Sequence, residues 1–183
     1  MPVRLRKSRP PLARYAVAWF PRFEGLGEVE AFRARHDPMA ALIPAHLTLV
    51  FPFPTSLTRL QVETHVKRVV SRWPPIPVTF RAVRMHANEF VFLMASRGAE
   101  SLGELHDRLY TRSLLPYLRR DLPYEPHITI ARNASFSALE AAYGEARAAF
   151  GRELADVLRT VSLLDVKRDG RIERLGELAL STA

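Results

Sequence analysis

No cysteine occurs among the 183 residues, which removes disulfides, thiolate chemistry and cysteine-bearing zinc sites, and agrees with a cytoplasmic location. No apolar run approaches the roughly 20 residues that a membrane-spanning helix needs. The stretch Met1 to Pro11 lacks the apolar segment of a signal peptide and carries Arg4, Arg6, Lys7 and Arg9; it is expected to be a flexible basic arm, residues 1–11. Lysine is scarce too. Only Lys7, Lys67 and Lys167 stand among the 27 Lys and Arg residues, so the formal charge of +8 is carried almost wholly by arginine. Arginine suits bidentate contacts to phosphate, which makes an anionic partner one reading and genome composition the other. At 48% hydrophobic residues, the remaining chain, residues 12–183, is long and apolar enough for one domain with its own core.

Two short segments carry the same pattern: His46-Leu47-Thr48-Leu49 and His127-Ile128-Thr129-Ile130. Strands have a side-chain period of two, so in each segment the imidazole and hydroxyl share one face and the aliphatic pair shares the other. Such a strand buries its aliphatics and offers a proton-transfer group beside a hydrogen-bond donor. Two of them facing one another would surround a ligand with an acid, a base and two hydroxyls, enough for general acid–base attack on a phosphodiester.

The surroundings repeat as well. Arg14 to Phe20 reads as a first strand and Gly27 to Arg35 as a helix stopped at His36-Asp37-Pro38. The first histidine strand, His46 to Phe53, is bounded by Pro52 and Pro54, and Thr55 or Ser56 caps a helix to about Trp73. Strands Val78 to Met85 and Glu89 to Ala95 follow, turning at His86-Ala87-Asn88. The second half offers a helix from Glu100 to Tyr110 and a linker with Pro116 and Pro123. The second histidine strand, a helix capped by Ser135, and a hairpin of Thr160 to Val166 and Ile172 to Leu180 complete it. From His46 to Val78 is 32 residues and from His127 to Val161 is 34. This agrees with a duplication that sets the two motifs about a pseudo-twofold axis. The expected fold is α+β, a single two-lobed domain with internal duplication, its lobes pseudo-symmetric and built mainly of antiparallel sheet.

The paired H-x-T-x segments resemble the signature of the 2H phosphoesterase superfamily, which includes the 2′-5′ RNA ligase and RNA 2′,3′-cyclic phosphodiesterase family. Tyr124-Glu125-Pro126 before the second motif and Ala131-Arg132 after it agree with that family's P-H-[IL]-T-[IL]-A-R form. The stretch from Arg35 through Pro44 is similar to a shorter bacterial subgroup, and the likeness runs from Leu12 to Leu180. Ligase-type members follow the first motif with F-L-G; this chain has Phe51-Pro52-Phe53-Pro54, which leaves substrate preference less fixed than chemistry.

The resemblance implies antiparallel lobes with outer helices, a central cleft with the histidines facing across it, and no metal or nucleotide cofactor. It further implies hydrolysis of 2′,3′-cyclic phosphate ends of RNA or nucleotides to 2′-phosphates, reversible as 2′-5′ ligation. His46 and His127 would supply base and acid in an order left open, while Thr48 and Thr129 would bond the phosphoryl oxygens. The implied partner is RNA or a nucleotide with a cyclic phosphate; a monomer away from membranes is expected.

Arg132 is the third candidate. At five residues beyond His127 it falls on the wrong face of an ideal strand, so it needs a bulge or the strand's end to reach the ligand. Phe51, Phe53 and Tyr124 are candidates for stacking a base, with packing as the alternative for each. His36, His65, His86 and His106 have no counterpart in the other half and are assigned structural roles. A metal-dependent hydrolase is a rival reading, weakened because Pro44 stands where Glu125 does in the second copy. A noncatalytic nucleotide- or RNA-binding module is another. A third keeps the enzyme but gives it a small cyclic phosphate or a 2′,5′-oligonucleotide.

Overall fold

A computed structural model describes residues 12–181; the basic segment 1–11 lies outside the described residues. Eight strands form one sheet in the order β6-β3-β4-β5-β2-β1-β7-β8. They are β1 Ala13–Trp19, β2 Leu47–Thr55, β3 Ile76–His86, β4 Phe90–Ala95, β5 His127–Arg132, β6 Leu154–Leu158, β7 Thr160–Val166 and β8 Ile172–Ala179. Every neighbouring pair is antiparallel. The helices are α1 Leu26–His36, α2 Arg59–Val70, α3 Ala99–Leu109 and α4 Phe136–Ala149. The chain is thus α+β, with two four-stranded lobes meeting at β2 and β5.

The sheet order reads symmetrically outward from its centre. β1 and β4 flank the central pair, β7 and β3 come next, and β8 and β6 form the edges. The chain crosses between lobes to achieve this. β3 follows β2 in sequence yet pairs with β4, whereas β7 returns to pair with β1. α1 joins β1 to β2 but packs on β5; α3 joins β4 to β5 but packs on β2. The two hairpins are therefore not equivalent: β4 lies inside the sheet beside β5, while β8 is an edge strand.

One main core lies between the sheet and the helices. Leu47, Leu49, Ile128 and Ile130 point into it, against Leu102, Leu105 and Leu109 of α3, Val29 and Phe32 of α1, and Leu139 and Ala146 of α4. The apolar spacing along each helix supplies that face.

Some boundaries differ from the sequence expectation, for local reasons. β2 runs through Pro52 and Pro54 to Thr55. Pro52 sits where the β1–β2 register shifts between Tyr15 and Val17, a bulge in which a residue without an N–H is tolerated. α2 then starts later than expected, capped by Thr58 in a reciprocal capping box with Gln61. β6 is not foreshadowed by the sequence; its residues show no two-residue alternation, and it is recognisable only as the partner of β3.

Candidate functional site

The two motifs meet at the centre of the sheet. Leu47 of β2 is registered opposite Ile128 of β5 in an antiparallel pair. Continuing that register sets His46 across from Thr129 and Thr48 across from His127. The two histidines then occupy opposite corners of a four-residue patch, and diagonal neighbours of this kind stand about 7–8 Å apart at the backbone. Leu47 and Ile128 are fully buried, whereas His46, Thr48, His127 and Thr129 are half-buried and line a cleft of about 420 Å³ on the other face.

Both rings are held alike. The Nδ1–H of His46 donates to the Pro44 carbonyl at 2.8 Å, and the Nδ1–H of His127 donates to the Glu125 carbonyl at 2.5 Å. A carbonyl can only accept, so Nδ1 carries the proton in each ring and Nε2 is left for proton transfer.

The environments differ. Burial pushes His127 down to about 4, with smaller contributions from His86 and His46; the Glu125 carbonyl and carboxylate oppose the shift. The His127 ring also stacks on Phe92 at 3.6 Å between centroids. Burial lowers His46 as well, opposed by the Pro44 carbonyl bond and by the Asp37 and Glu30 carboxylates, while Arg33 adds to the lowering.

A bulge follows each motif. Phe92 pairs with Thr129 but Val91 pairs with Ala131, leaving Ile130 without a partner in the ladder. Ala18 pairs with Thr48 but Val17 pairs with Val50, which leaves out Leu49 in the same way. Each bulge resets the alternation of its strand. It thereby turns the residue five beyond the histidine, Arg132 in one copy and Phe51 in the other, onto the cleft. The Arg132 guanidinium lies over the Phe90 ring at 4.9 Å and also borders an adjoining depression lined by Arg35, Glu89 and Asn133.

The cleft floor is asymmetric. On β4, Phe90 and Phe92 face the cleft; at the matching positions of β1 stand Ala16 and Ala18. One side is an aromatic shelf and the other a hollow closed by Ile43, Leu164 and Ile172.

The aromatic candidates divide. Phe51 lines the cleft, edge-on to His106 and Tyr124. Tyr124 also lines it, but its ring stacks on His106 at 3.8 Å and its O–H donates to the Thr48 carbonyl at 3.0 Å. Phe53 is a correction: it is 3% exposed and packed against Tyr15 and Tyr117 in the core. A second register shift in β2, beside Pro52, puts it on the face opposite Phe51, out of reach of a ligand.

His86 is the residue the sequence undervalued. It lines the cleft and stacks on Phe92 at 5.1 Å; without strand order, nothing marked it as a neighbour of His127. The other histidines have structural partners. His65 donates to the Leu109 carbonyl, His106 to the Leu49 carbonyl, and His36 meets Glu145. The Glu125 carboxylate is engaged by Arg84.

Comparisons with known proteins agree with this geometry. The family model for the 2′-5′ RNA ligase superfamily matches residues 21–169. A Bacillus licheniformis protein named as a phosphoesterase is 26% identical over 164 residues, covering 88% of this chain and 86% of the relative. A Geobacillus kaustophilus protein of the same description is 24% identical, covering 88% and 84%. Among solved structures, Escherichia coli LigT in apo form superposes with a TM-score of 0.62 at 19% identity, over 94% of this chain and 99% of that one. Its complex with 3′-AMP gives 0.61 at 22% identity, over 93% and 98%. A Thermus thermophilus protein gives 0.63 at 19% identity, over 91% and 97%. A family match across most of the length, on a LigT-like sheet with paired histidine strands at its centre, places this chain in the 2′-5′ RNA ligase superfamily of 2H phosphoesterases.

Proposed function

We propose that the protein is a metal-independent phosphodiesterase that opens 2′,3′-cyclic phosphates at the ends of RNA or on nucleotides, leaving 2′-phosphates. The observation that carries this reading is the Leu47–Ile128 register, which sets two imidazoles and two hydroxyls around one position on the cleft floor. His127, kept neutral by burial, takes a proton from water through Nε2. The water oxygen bonds to phosphorus, and the P–O3′ bond breaks. His46, its Nδ1–H held by the Pro44 carbonyl so that Nε2 is the atom left for transfer, gives its Nε2 proton to the departing O3′. Thr48 and Thr129 donate to the non-bridging oxygens, where negative charge grows. With a 5′-hydroxyl in place of water, the same steps would join its oxygen to phosphorus as P–O3′ breaks, giving a 2′-5′ linkage. The complex of LigT with 3′-AMP supports a nucleotide as the kind of ligand this fold accepts.

The test is incubation of the protein with a 2′,3′-cyclic phosphate oligonucleotide and mononucleotide, in excess chelator, followed by product identification. A 2′-phosphate product at an undiminished rate is expected. Loss of activity with chelator would restore the metal-dependent alternative. Tight binding without turnover of any cyclic phosphate would make the protein a nucleotide-binding module instead.

The proton roles set a pH dependence for kcat/KM. Activity should rise with pH through about 4, as His127 loses its proton. It should fall again below or near neutrality, as the lowered His46 loses the proton it must donate. The limbs report the coupled pair. A profile measured from pH 3 to 9 that climbs without a descending limb would contradict an acid at His46.

A further inference from the structure

The two histidines share an anchoring bond, but the carbonyls that receive it are secured differently. Beside Glu125, the Pro126 carbonyl accepts the Ala95 N–H at 2.9 Å, so the sheet itself fixes the approach to His127. Among the described residues no backbone bond supports Pro44 in this way, because β2 begins only at Leu47. Proline also lacks an N–H, and its carbonyl is occupied by His46.

The residues on either side of Pro44 are held from α1 instead. Arg33 donates from Nη1 to the Ile43 carbonyl at 3.1 Å, and the Ala45 N–H donates to Glu30 Oε1 at 2.7 Å. Glu30 and Arg33 are also paired with each other at 3.1 Å. Arg33 is 1% exposed, and its second arm meets buried Asp37 at 3.0 Å. The other carboxylate oxygen of Asp37 accepts the Met39 N–H. A side-chain lattice from one helix therefore grips the segment 37–45 at three points, two of them flanking Pro44.

We propose that Glu30 and Arg33 form a clamp that positions His46 for proton transfer by fixing the Pro44 carbonyl, and with it the ring's tautomer and direction. Both are positioning residues, acting through Pro44 rather than on the substrate. The proposal rests on the function given above. Glu30 is the informative site: its side chain is 33% exposed, whereas removing Arg33 would leave Asp37 buried without its partner.

The test compares Glu30→Ala with Glu30→Gln in the full chain. Glutamine keeps an acceptor for the Ala45 N–H while removing the charge. With a 2′,3′-cyclic mononucleotide, Glu30→Ala should lose about 10- to 100-fold in kcat with little change in KM, as expected when an acid is misaimed. Glu30→Gln should stay within about threefold of the parent, because the positioning bond survives. Equal losses in the two variants would mean that charge, not position, matters, and would overturn the clamp.

Imidazole ¹⁵N shifts of histidine-labelled protein give a second readout that needs no substrate. His46 should be held in the Nδ1–H form in the parent and in Glu30→Gln, and become a tautomer mixture in Glu30→Ala. An unchanged His46 tautomer in Glu30→Ala overturns the clamp. A parent without turnover whose tautomer still responds in this way overturns the proposed function and leaves the clamp standing.

Discussion

Alanine at His46 or at His127 is expected to lower turnover of a 2′,3′-cyclic phosphate by about 10²-fold or more, the usual contribution of a positioned acid or base. The double variant should be little worse than the weaker single one, because once either proton path is gone the other histidine has nothing to complete. Both rings are half-buried and line the cleft, so their removal takes little from the core; circular dichroism and melting should stay close to the parent. Measured kcat values for the three variants decide the matter. Undiminished turnover in both single variants would end the two-histidine mechanism.

Gly98→Ala is expected to destabilise the fold by about 2–5 kcal/mol, combining a strained backbone with an overpacked contact. Gly98 opens α3 with φ +80°, and a Cβ there would lie 2.3 Å from the Pro77 carbonyl oxygen. That neighbour is backbone of β3 and cannot swing aside. The helix matters beyond its own turns. Leu102, Leu105 and Leu109 fill the core, His106 bonds the Leu49 carbonyl, and Tyr110 accepts the Phe51 N–H. Gly103, in the same helix, has nothing within 4 Å of its missing Cβ. Gly103→Ala should therefore stabilise by up to about 1 kcal/mol. Thermal unfolding of the two variants, expected to move in opposite directions at roughly 2–4 °C per kcal/mol, provides the check. A Gly98→Ala protein melting with the parent would show that the β3–α3 approach can relax.

Much of this arrangement was legible in the residues. Alternation within His46–Leu49 and His127–Ile130 separated the cleft face from the core face, and the buried aliphatics follow it. The requirement that Arg132 needs a bulge was readable from spacing; that the bulge lies at Ile130 depends on its pairing with β4. Phe53 was misjudged because closeness to the motif does not fix a face: strict alternation from His46 sets it on the core side, and the two register shifts in β2 together leave it there. Phe90, Phe92 and His86 went unrecognised for a different reason. They belong to a hairpin whose place beside β5 is a long-range property, invisible to any local pattern. The clamp on Pro44 was hidden likewise, since Glu30 reads as one more polar residue on a surface helix until its bond to Ala45 is seen.

The interlacing of the lobes bears on how the molecule can come into being. By the time a ribosome has released β1, α1, β2, α2 and β3, the first two strands can pair, but β3 still has neither of its neighbours. Val78 and Phe80, fully interior at the end, must wait for β4 and later β6. β1 keeps one edge open until β7 arrives. Assembly of this kind is dominated by contacts between distant parts of the polypeptide, which slows folding and leaves sticky edges in the interim. Until β7 and β8 emerge, the unfinished sheet presents unpaired strand edges to whatever lies nearby.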